Sequence, residues 1–154
     1  MNVYENMEKL GIQILEPTPL GGIYSPVRPF GDKLIYTSGT GGANAIDKDI
    51  TGKLGKDLTL EQGQEMARRC ALNIISNLHH AIGDLNQIKC FVKLLAFVAS
   101  DDEFYQQPQV VNGASQLIRD IFGEEIGMPA RSAVGVNVLP GNIPVEIEAI
   151  VELR

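Results

Sequence analysis

Two stretches of the chain repeat apolar residues at the three- and four-residue spacing of an amphipathic helix. The longer one opens at Thr59 with a capping-box sequence and ends before Gly83. The second runs over about residues 103–122 and is closed by Gly123. A shorter helix is expected around residues 4–10. The pattern therefore predicts two main helices, each with one buried face.

Other stretches have the composition of β-strands and the turns that join them. A Gly-Asp turn at 31–32 precedes a β-branched and aromatic run at 33–39, which predicts an opening hairpin. Residues 130–139 and 145–153 are rich in Val and Ile and flank a Pro-Gly-Asn connection. These last two strands are predicted to pair as a closing hairpin, with Glu146 opposite about Asn137.

The run at 88–99 is predicted to be a strand that is apolar on both faces. One face would carry Ile88, Cys90, Val92, Leu94, Ala96 and Val98, and the other Phe91, Leu95 and Phe97. Such a strand has to be covered on both sides. Two helices on one face of a sheet of about six strands leave the second face open. We therefore expect an α+β fold whose sheets join in a homo-oligomer.

Length and composition narrow the class of protein. The 154 residues predict one domain spanning 1–154, with a helical extension at 1–20 and a core at 21–154, and 44% apolar with 21% charged residues is ordinary for a globular protein. The net charge is −6, and the tightest basic cluster is only Arg68-Arg69. Nucleic acid is therefore not expected as a partner, because binding to phosphates needs a basic footprint.

The cysteines and the hydropathy of the chain indicate the cellular compartment of the protein. The two cysteines, Cys70 and Cys90, lie among apolar residues and are interpreted as core residues in a reducing compartment. Residues 1–10 lack the apolar core of a signal peptide, and no run approaches the ~18 apolar residues of a membrane span. A cytoplasmic protein without membrane contact is expected.

The first candidate for chemistry is Arg131, near the start of its predicted strand. Alternation places it on one face with Ala133, Gly135 and Asn137, so a hollow walled by small side chains adjoins its guanidinium. Such a fork binds a carboxylate through two parallel hydrogen bonds. The alternative is an arginine in a surface or interface ion pair.

Two carboxylates on the last strand are the second candidate. Glu146 and Glu148 share one strand face, and either can act as a general base where burial raises its pKa. The alternative is a solvated polar face. Within the predicted hairpin Arg131 lies about 20 Å from Glu146 along the strands. A site that uses both needs another strand or a neighbouring subunit.

Other groups of residues give weaker indications of a catalytic or binding site. The adjacent His79 and His80 point about 100° apart on a helix and do not have metal-ligand spacing, so no metal site is expected. The glycine-rich run at 38–42 lacks the lysine of a P-loop, although its backbone N–H groups can face an oxyanion. No serine-histidine-acid set or activated cysteine is readable, which disfavours a covalent nucleophile.

The chain resembles the RidA/YjgF family over about residues 20–154. The resemblance rests on Tyr24-Ser25, on Gly31-Asp32 leading to Thr37-Ser38-Gly39, on Asn112, on Pro129-Ala130-Arg131-Ser132, and on Leu139-Pro140 with Val145-Glu146-Ile147-Glu148-Ala149. It implies a chorismate-mutase-like fold and a homotrimer whose sheets face its interior. It also implies hydrolysis of 2-enamines and 2-imino acids, such as 2-aminoacrylate and 2-iminobutanoate, without a cofactor.

The resemblance assigns roles at matching positions. Arg131 matches the residue that grips the substrate carboxylate, and Glu146 matches the acid that positions or activates water. The positions that match cleft residues are Tyr24, Ser38, Gly39 and Asn112, with Ala133 at a place that is often cysteine. Thr40 replaces a common glutamine, and the loop at 40–57 is longer than in the best-known members.

Three functions follow as hypotheses. The first is a deaminase that converts 2-imino acids to 2-oxo acids and ammonia in a cleft between subunits. The second is a protein that binds 2-oxo acids or related carboxylates without turnover, with a regulatory role. The third, suggested by the family's older label of endoribonuclease and translation inhibitor, is RNA cleavage, which the acidic charge disfavours.

Overall fold

A computed structural model describes residues 2–154. Its three α-helices lie close to the two main helices and the short first helix that the sequence predicts. They are α1 (Val3–Lys9), α2 (Leu60–Ile82) and α3 (Gln107–Gly127). Thr59 caps α2 through the predicted capping box, and Gly83 ends that helix with a positive φ of 80°.

The start and end of α3 differ from the prediction. The helix begins at Gln107 rather than at 103, because Pro108 occupies its first turn, where a missing N–H costs nothing. Gly123 breaks the helical geometry with φ 77° and ψ 169°, as the sequence indicated. One further turn follows the break and extends to Gly127. The predicted stop is therefore a kink.

Five strands form one mixed sheet, against the six or so expected. They are β1 (Val27–Phe30), β2 (Leu34–Thr37), β3 (Ile88–Ala99), β4 (Ala130–Val136) and β5 (Val145–Leu153). Their order across the sheet is β1-β2-β5-β3-β4. The opening hairpin of β1 and β2 is confirmed as an antiparallel pair.

The predicted closing hairpin is wrong. β4 and β5 are not neighbours, because β3 lies between them, parallel to β4 and antiparallel to β5. Glu146 pairs with Phe97 rather than with Asn137, and Arg131 pairs with Leu94. Both closing strands have the composition of buried strands, and composition does not state which strand is the neighbour.

The alternation predicted for β3 is also broken. Register shifts between Ile88 and Cys90 and between Phe91 and Lys93 interrupt its pairing with β5. Phe91 is thereby turned to the helical side, where its ring meets that of Phe122 edge-on at 5.0 Å, and Val92 is left exposed. The uncovered face therefore carries Leu95 and Phe97 without Phe91.

The core lies between one face of the sheet and the helices α2 and α3. Alternate residues of β5 point into it and are buried, namely Val145, Ile147, Ala149 and Val151. The residues between them, including Glu146 and Glu148, point to the other face, which no helix within residues 2–154 covers. The expected α+β arrangement, with both main helices on one face, is confirmed.

Candidate functional site

A cavity of about 290 Å³ opens beside the strand β5 at its first residues. Its walls come from the irregular segment 18–26, from the glycine-rich run 38–41 and from the loop that follows. Glu146 lines it, together with Tyr24, Ser38 and Gly39. The structure thus brings together four of the predicted site residues, which come from three separate segments of the chain.

The Glu146 side chain lies against the backbone of Gly39. A Cβ atom added to Gly39 would be 2.8 Å from Cδ and 3.0 Å from Oε2 of Glu146, so any side chain at this position would displace the Glu146 carboxylate. Burial raises the pKa of Glu146 above its ordinary value of 4.5, and the negative charge of Glu148 raises it further. Within residues 2–154 its carboxylate has no hydrogen-bonding partner, so it is available to a substrate or a water molecule.

Glu148 occupies a different position. The Tyr36 hydroxyl donates a hydrogen bond of 2.7 Å to its Oε1. Both carboxylates line an adjoining cavity of about 400 Å³, but only Glu146 also lines the first one. The sequence left open which of the two faces the cleft. The geometry favours Glu146 as the free carboxylate.

Tyr24 and Ser38 have mainly structural contacts. The Ser38 hydroxyl donates to the Ser25 carbonyl at 2.6 Å, and the Ser38 amide donates to the Pro26 carbonyl at 2.9 Å. These bonds join the run at 38–41 to the segment before β1. The Tyr24 hydroxyl accepts a hydrogen bond from the Gly21 amide at 3.2 Å and keeps its own proton for a ligand.

Arg131 is held by the first turns of α3. Its Nη1 donates to Asn112 Oδ1 at 2.9 Å and to Ser115 Oγ at 3.0 Å, and its Nη2 donates to the Pro108 carbonyl at 3.2 Å. One N–H on Nη2 and the N–H on Nε have no partner in the described chain and are available to a ligand such as a carboxylate. Burial lowers the pKa of Arg131 from its ordinary value.

Ser115 is a contact residue of Arg131 that the sequence analysis missed. It follows Asn112 by three residues on α3, so both lie on the same side of the helix. The three-residue spacing from Asn112 is the sequence signal that could have identified Ser115. Ala133, two residues after Arg131, pairs with Ala96 on the helical side of the sheet, next to the core.

The structure does not bring Arg131 and Glu146 together within one chain. Arg131 points to the helical side of the sheet, whereas Glu146 points to the uncovered side. Their partners on β3, Leu94 and Phe97, are three residues apart, which adds about 10 Å along the strands to two strand spacings across. Asn112 and Arg131 line a separate cavity of about 400 Å³.

The loop after the glycine-rich run adds a residue that sequence reasoning did not identify. Asp49 lines the cavity of Glu146, and its Oδ1 is buried without a hydrogen-bond partner in the described chain. Burial raises the pKa of Asp49, an effect that the nearby amides of Ala43 and Gly42 and the charge of Arg69 oppose. Asp49 lies in an irregular loop, where no periodic pattern indicates which side chains point inward.

Two further results concern metals and membranes. Among the described residues, no three His, Cys, Asp or Glu side chains converge as a metal site requires. No helix in this part of the chain combines the length and apolar character needed to cross a membrane.

Comparison with known sequences gives a clear relationship. A sequence model of the family described as Endoribonuclease L-PSP matches residues 16–153. The protein named TCP17 from Trypanosoma cruzi is 42% identical over 152 residues, which make up 99% of this chain and 94% of that protein.

Solved structures agree with this relationship. The protein Atu1372 of unknown function from Agrobacterium tumefaciens is 38% identical, with a TM-score of 0.86 over 98% of this chain and 91% of its own. RidA from the Antarctic bacterium Psychrobacter sp. PAMC 21119 is 25% identical, with a TM-score of 0.60 over 92% of this chain and 98% of its own. The fold is shared by both.

Proposed function

Because this chain belongs to the RidA/YjgF family, whose sequence model is described as Endoribonuclease L-PSP, we propose that it hydrolyses reactive 2-imino acids and their enamine tautomers. The products are a 2-oxo acid and ammonia. The observation that carries the proposal is the free, half-buried carboxylate of Glu146, whose pKa is raised, in a cavity.

The reaction requires few groups from the protein. The oxygen of a water molecule adds to the imine carbon and forms a C–O bond, after which the C–N bond breaks and nitrogen leaves as ammonia. Glu146 takes one proton from the attacking water and passes it to the nitrogen, which gives a carbinolamine. It then takes the proton of the new hydroxyl group and passes it to the amine, so that the C=O bond forms as the C–N bond breaks. A raised pKa suits this role, because the group must both accept and release a proton near neutral pH. No covalent bond to the protein forms.

Arg131 anchors the substrate through its carboxylate. Its guanidinium is held by Asn112, Ser115 and the Pro108 carbonyl, so little side-chain freedom is lost when a ligand binds. The two N–H groups that remain match the two oxygens of a carboxylate. The imine carbon is then fixed next to the bound carboxylate, where water can be directed at it.

A complete cleft requires two subunits in this proposal. Arg131 and Glu146 lie on opposite sides of one sheet, so the guanidinium of one chain meets the carboxylate of its neighbour. The uncovered sheet face, with Leu95 and Phe97 half-buried in one chain, supplies the apolar surface for assembly. A homotrimer with three equivalent clefts satisfies both requirements.

The test generates the imine in place with a threonine or serine dehydratase and times its disappearance. We expect the wild-type protein to accelerate the decay and Arg131→Ala to abolish the acceleration while the oligomer persists. Lys9→Gln serves as the control and keeps full activity, because Lys9 is an exposed residue of α1 that lines neither cavity and does not lie on the sheet.

The same assay separates the alternatives. Unchanged decay, together with saturable binding of 2-oxo acids by the wild type, would replace the deaminase with a carboxylate-binding protein. RNA cleavage that is lost in both Arg131→Ala and Glu146→Ala would instead revive the ribonuclease hypothesis. The net charge of −6 predicts that no such cleavage is found.

A further inference from the structure

A polar stripe runs along α3 toward Arg131. Asn112, Ser115, Gln116 and Arg119 follow one another at helical spacing, so they lie on one side of the helix. All four line the cavity of about 400 Å³ that Arg131 also lines. Two arginines therefore face the same cavity.

Neither guanidinium has a carboxylate partner in the described part of the chain. Arg131 is bound by neutral oxygens only, and Arg119 donates to the neutral Gln116 Oε1 at 2.9 Å. The adjacent acid in the sequence, Asp120, is held by Gln116 Nε2 at 2.6 Å. No acidic side chain lines the cavity. In a chain of net charge −6, this is a local concentration of uncompensated positive charge.

The neutral side chains of the stripe add donors. Asn112 Oδ1 and Ser115 Oγ both accept from Arg131, which leaves the Asn112 amide N–H groups and the Ser115 hydroxyl proton free. A cavity lined by two guanidinium groups and further donors is complementary to a ligand with more than one negative charge.

We propose that Arg119 forms a second anion subsite beside Arg131, so that the preferred ligands are 2-imino and 2-oxo acids with a second carboxylate. The proposal rests on the proposed function, since Arg131 is taken to hold the carboxylate next to the reacting carbon. Arg119 then binds the carboxylate at the far end of the ligand. A monocarboxylate of equal length leaves this arginine unpaired.

The test measures binding by titration calorimetry with pairs of equal length: 2-oxoglutarate against 2-oxopentanoate, and oxaloacetate against 2-oxobutanoate. We expect the wild-type protein to prefer the dicarboxylate of at least one pair by about tenfold or more, because charge-assisted hydrogen bonds are the stronger kind. Arg119→Gln should remove this preference, and Arg119→Lys should retain part of it. Lys9→Gln, with the same change of charge at an exposed position of α1, should leave the preference unchanged.

Equal wild-type affinity within both pairs would overturn the subsite, as would a preference that survives Arg119→Gln. Hydrolysis of imines measured beside binding keeps the two proposals apart. Turnover of monocarboxylic imines without any dicarboxylate preference overturns the subsite and leaves the proposed function standing. A dicarboxylate preference that depends on Arg119, without turnover of either imine class, upholds the subsite and overturns the deaminase.

Discussion

The carboxylate of Glu146 is half-buried, yet no group in the described chain donates a hydrogen bond to it. Buried carboxylates usually have such a donor. Burial and the charge of Glu148 raise its pKa, so the ionised form is disfavoured in the folded protein. The folded state therefore binds this proton more tightly than the unfolded chain does. The free energy of unfolding therefore decreases as the pH rises from 4.5 through the raised pKa of Glu146.

Glu146→Gln is expected to raise the thermal unfolding midpoint at neutral pH while lowering imine hydrolysis. Glutamine has a similar shape and carries no charge to desolvate. The gain in stability should vanish below pH 4.5, where the wild-type carboxyl is itself neutral. Thermal unfolding of both proteins across this pH range measures the effect.

Glu148→Gln is the matched control for that prediction. Its carboxylate accepts the Tyr36 hydroxyl at 2.7 Å, so neutralising it weakens a hydrogen bond rather than relieving an unpaired charge. Because neutralising Glu148 also removes its repulsion of Glu146, we expect a gain in stability that is smaller than that of Glu146→Gln. An equal gain in both variants would mean that general charge repulsion, and not the cavity, raises the pKa of Glu146.

Gly39→Ala tests the contact that places the Glu146 carboxylate. The φ of Gly39 is not positive, so the backbone accepts alanine, but the new methyl group takes the space of Glu146 Cδ. The flexible side chain can move aside. We expect a loss of activity of about tenfold or more, as small displacements of catalytic groups produce, with little change in the unfolding midpoint. Full activity would show that this placement of Glu146 is not needed.

At the scale of elements, α2 and α3 approach each other through a glycine. A Cβ atom on Gly113 would collide with the backbone carbonyl of Gln64 on α2. Gln64 in turn donates from its side chain to the Gln109 carbonyl at 2.9 Å. The contact fixes the distance between the helices, and with it the stripe that includes Asn112 and Ser115.

Gly113→Ala should therefore destabilise the protein, although alanine normally favours a helix over glycine. We expect the free energy of unfolding to fall by about 1–3 kcal/mol, the usual cost of overpacking. Gln109→Ala, at an exposed position of the same helix, should stay within about 0.5 kcal/mol of the wild type. Denaturant unfolding measures both, and a stabilised Gly113→Ala variant would contradict the close packing.

The positions of the helices and strands were predicted from the sequence more accurately than the pairing of the strands. The bounds of α2 and β3 follow from local signals, a capping box with apolar periodicity and an apolar run. The position of β5 between β2 and β3 does not follow from local signals. Strand pairing depends on contacts between distant segments, and a proline-glycine connection between β4 and β5 imitates a hairpin.

At the scale of the whole molecule, the proposed cleft predicts that inactive subunits complement each other. Coexpressed Arg131→Ala and Glu146→Gln chains should form mixed trimers, in which about one third of the clefts receive both intact residues, because each mixed ring of three contains one such cleft. Activity should return to roughly that fraction of the wild-type level. Differential tags allow the mixed oligomers to be purified and assayed.

The control for complementation coexpresses Arg131→Ala with the Arg131→Ala/Glu146→Gln double variant. No arrangement of these chains contains an intact arginine, so no activity should return. Mixed oligomers of the two single variants that remain inactive would contradict a cleft shared between subunits.

The sequence by itself determined the local structure and the candidate residues. Periodicity, caps and turn residues depend on neighbours along the chain, so they specified the helices, most strand positions and the α+β class. Residue chemistry selected Arg131 and Glu146 as candidates for an anchor and a base. The sequence argument that these groups need another strand or a second subunit rested on a closing hairpin that does not form, and a cleft shared between subunits stays a prediction.

Tertiary structure decided the strand order, the separation of the two candidates on opposite faces, and the environment of each. The Tyr36 hydroxyl that engages Glu148 comes from a residue 112 positions away, and Arg131 is oriented by side chains 16 and 19 positions before it. Apolar patterning states which side of a strand is buried. It does not state which strand lies beside it or which polar group meets it there, because those depend on how distant segments pack.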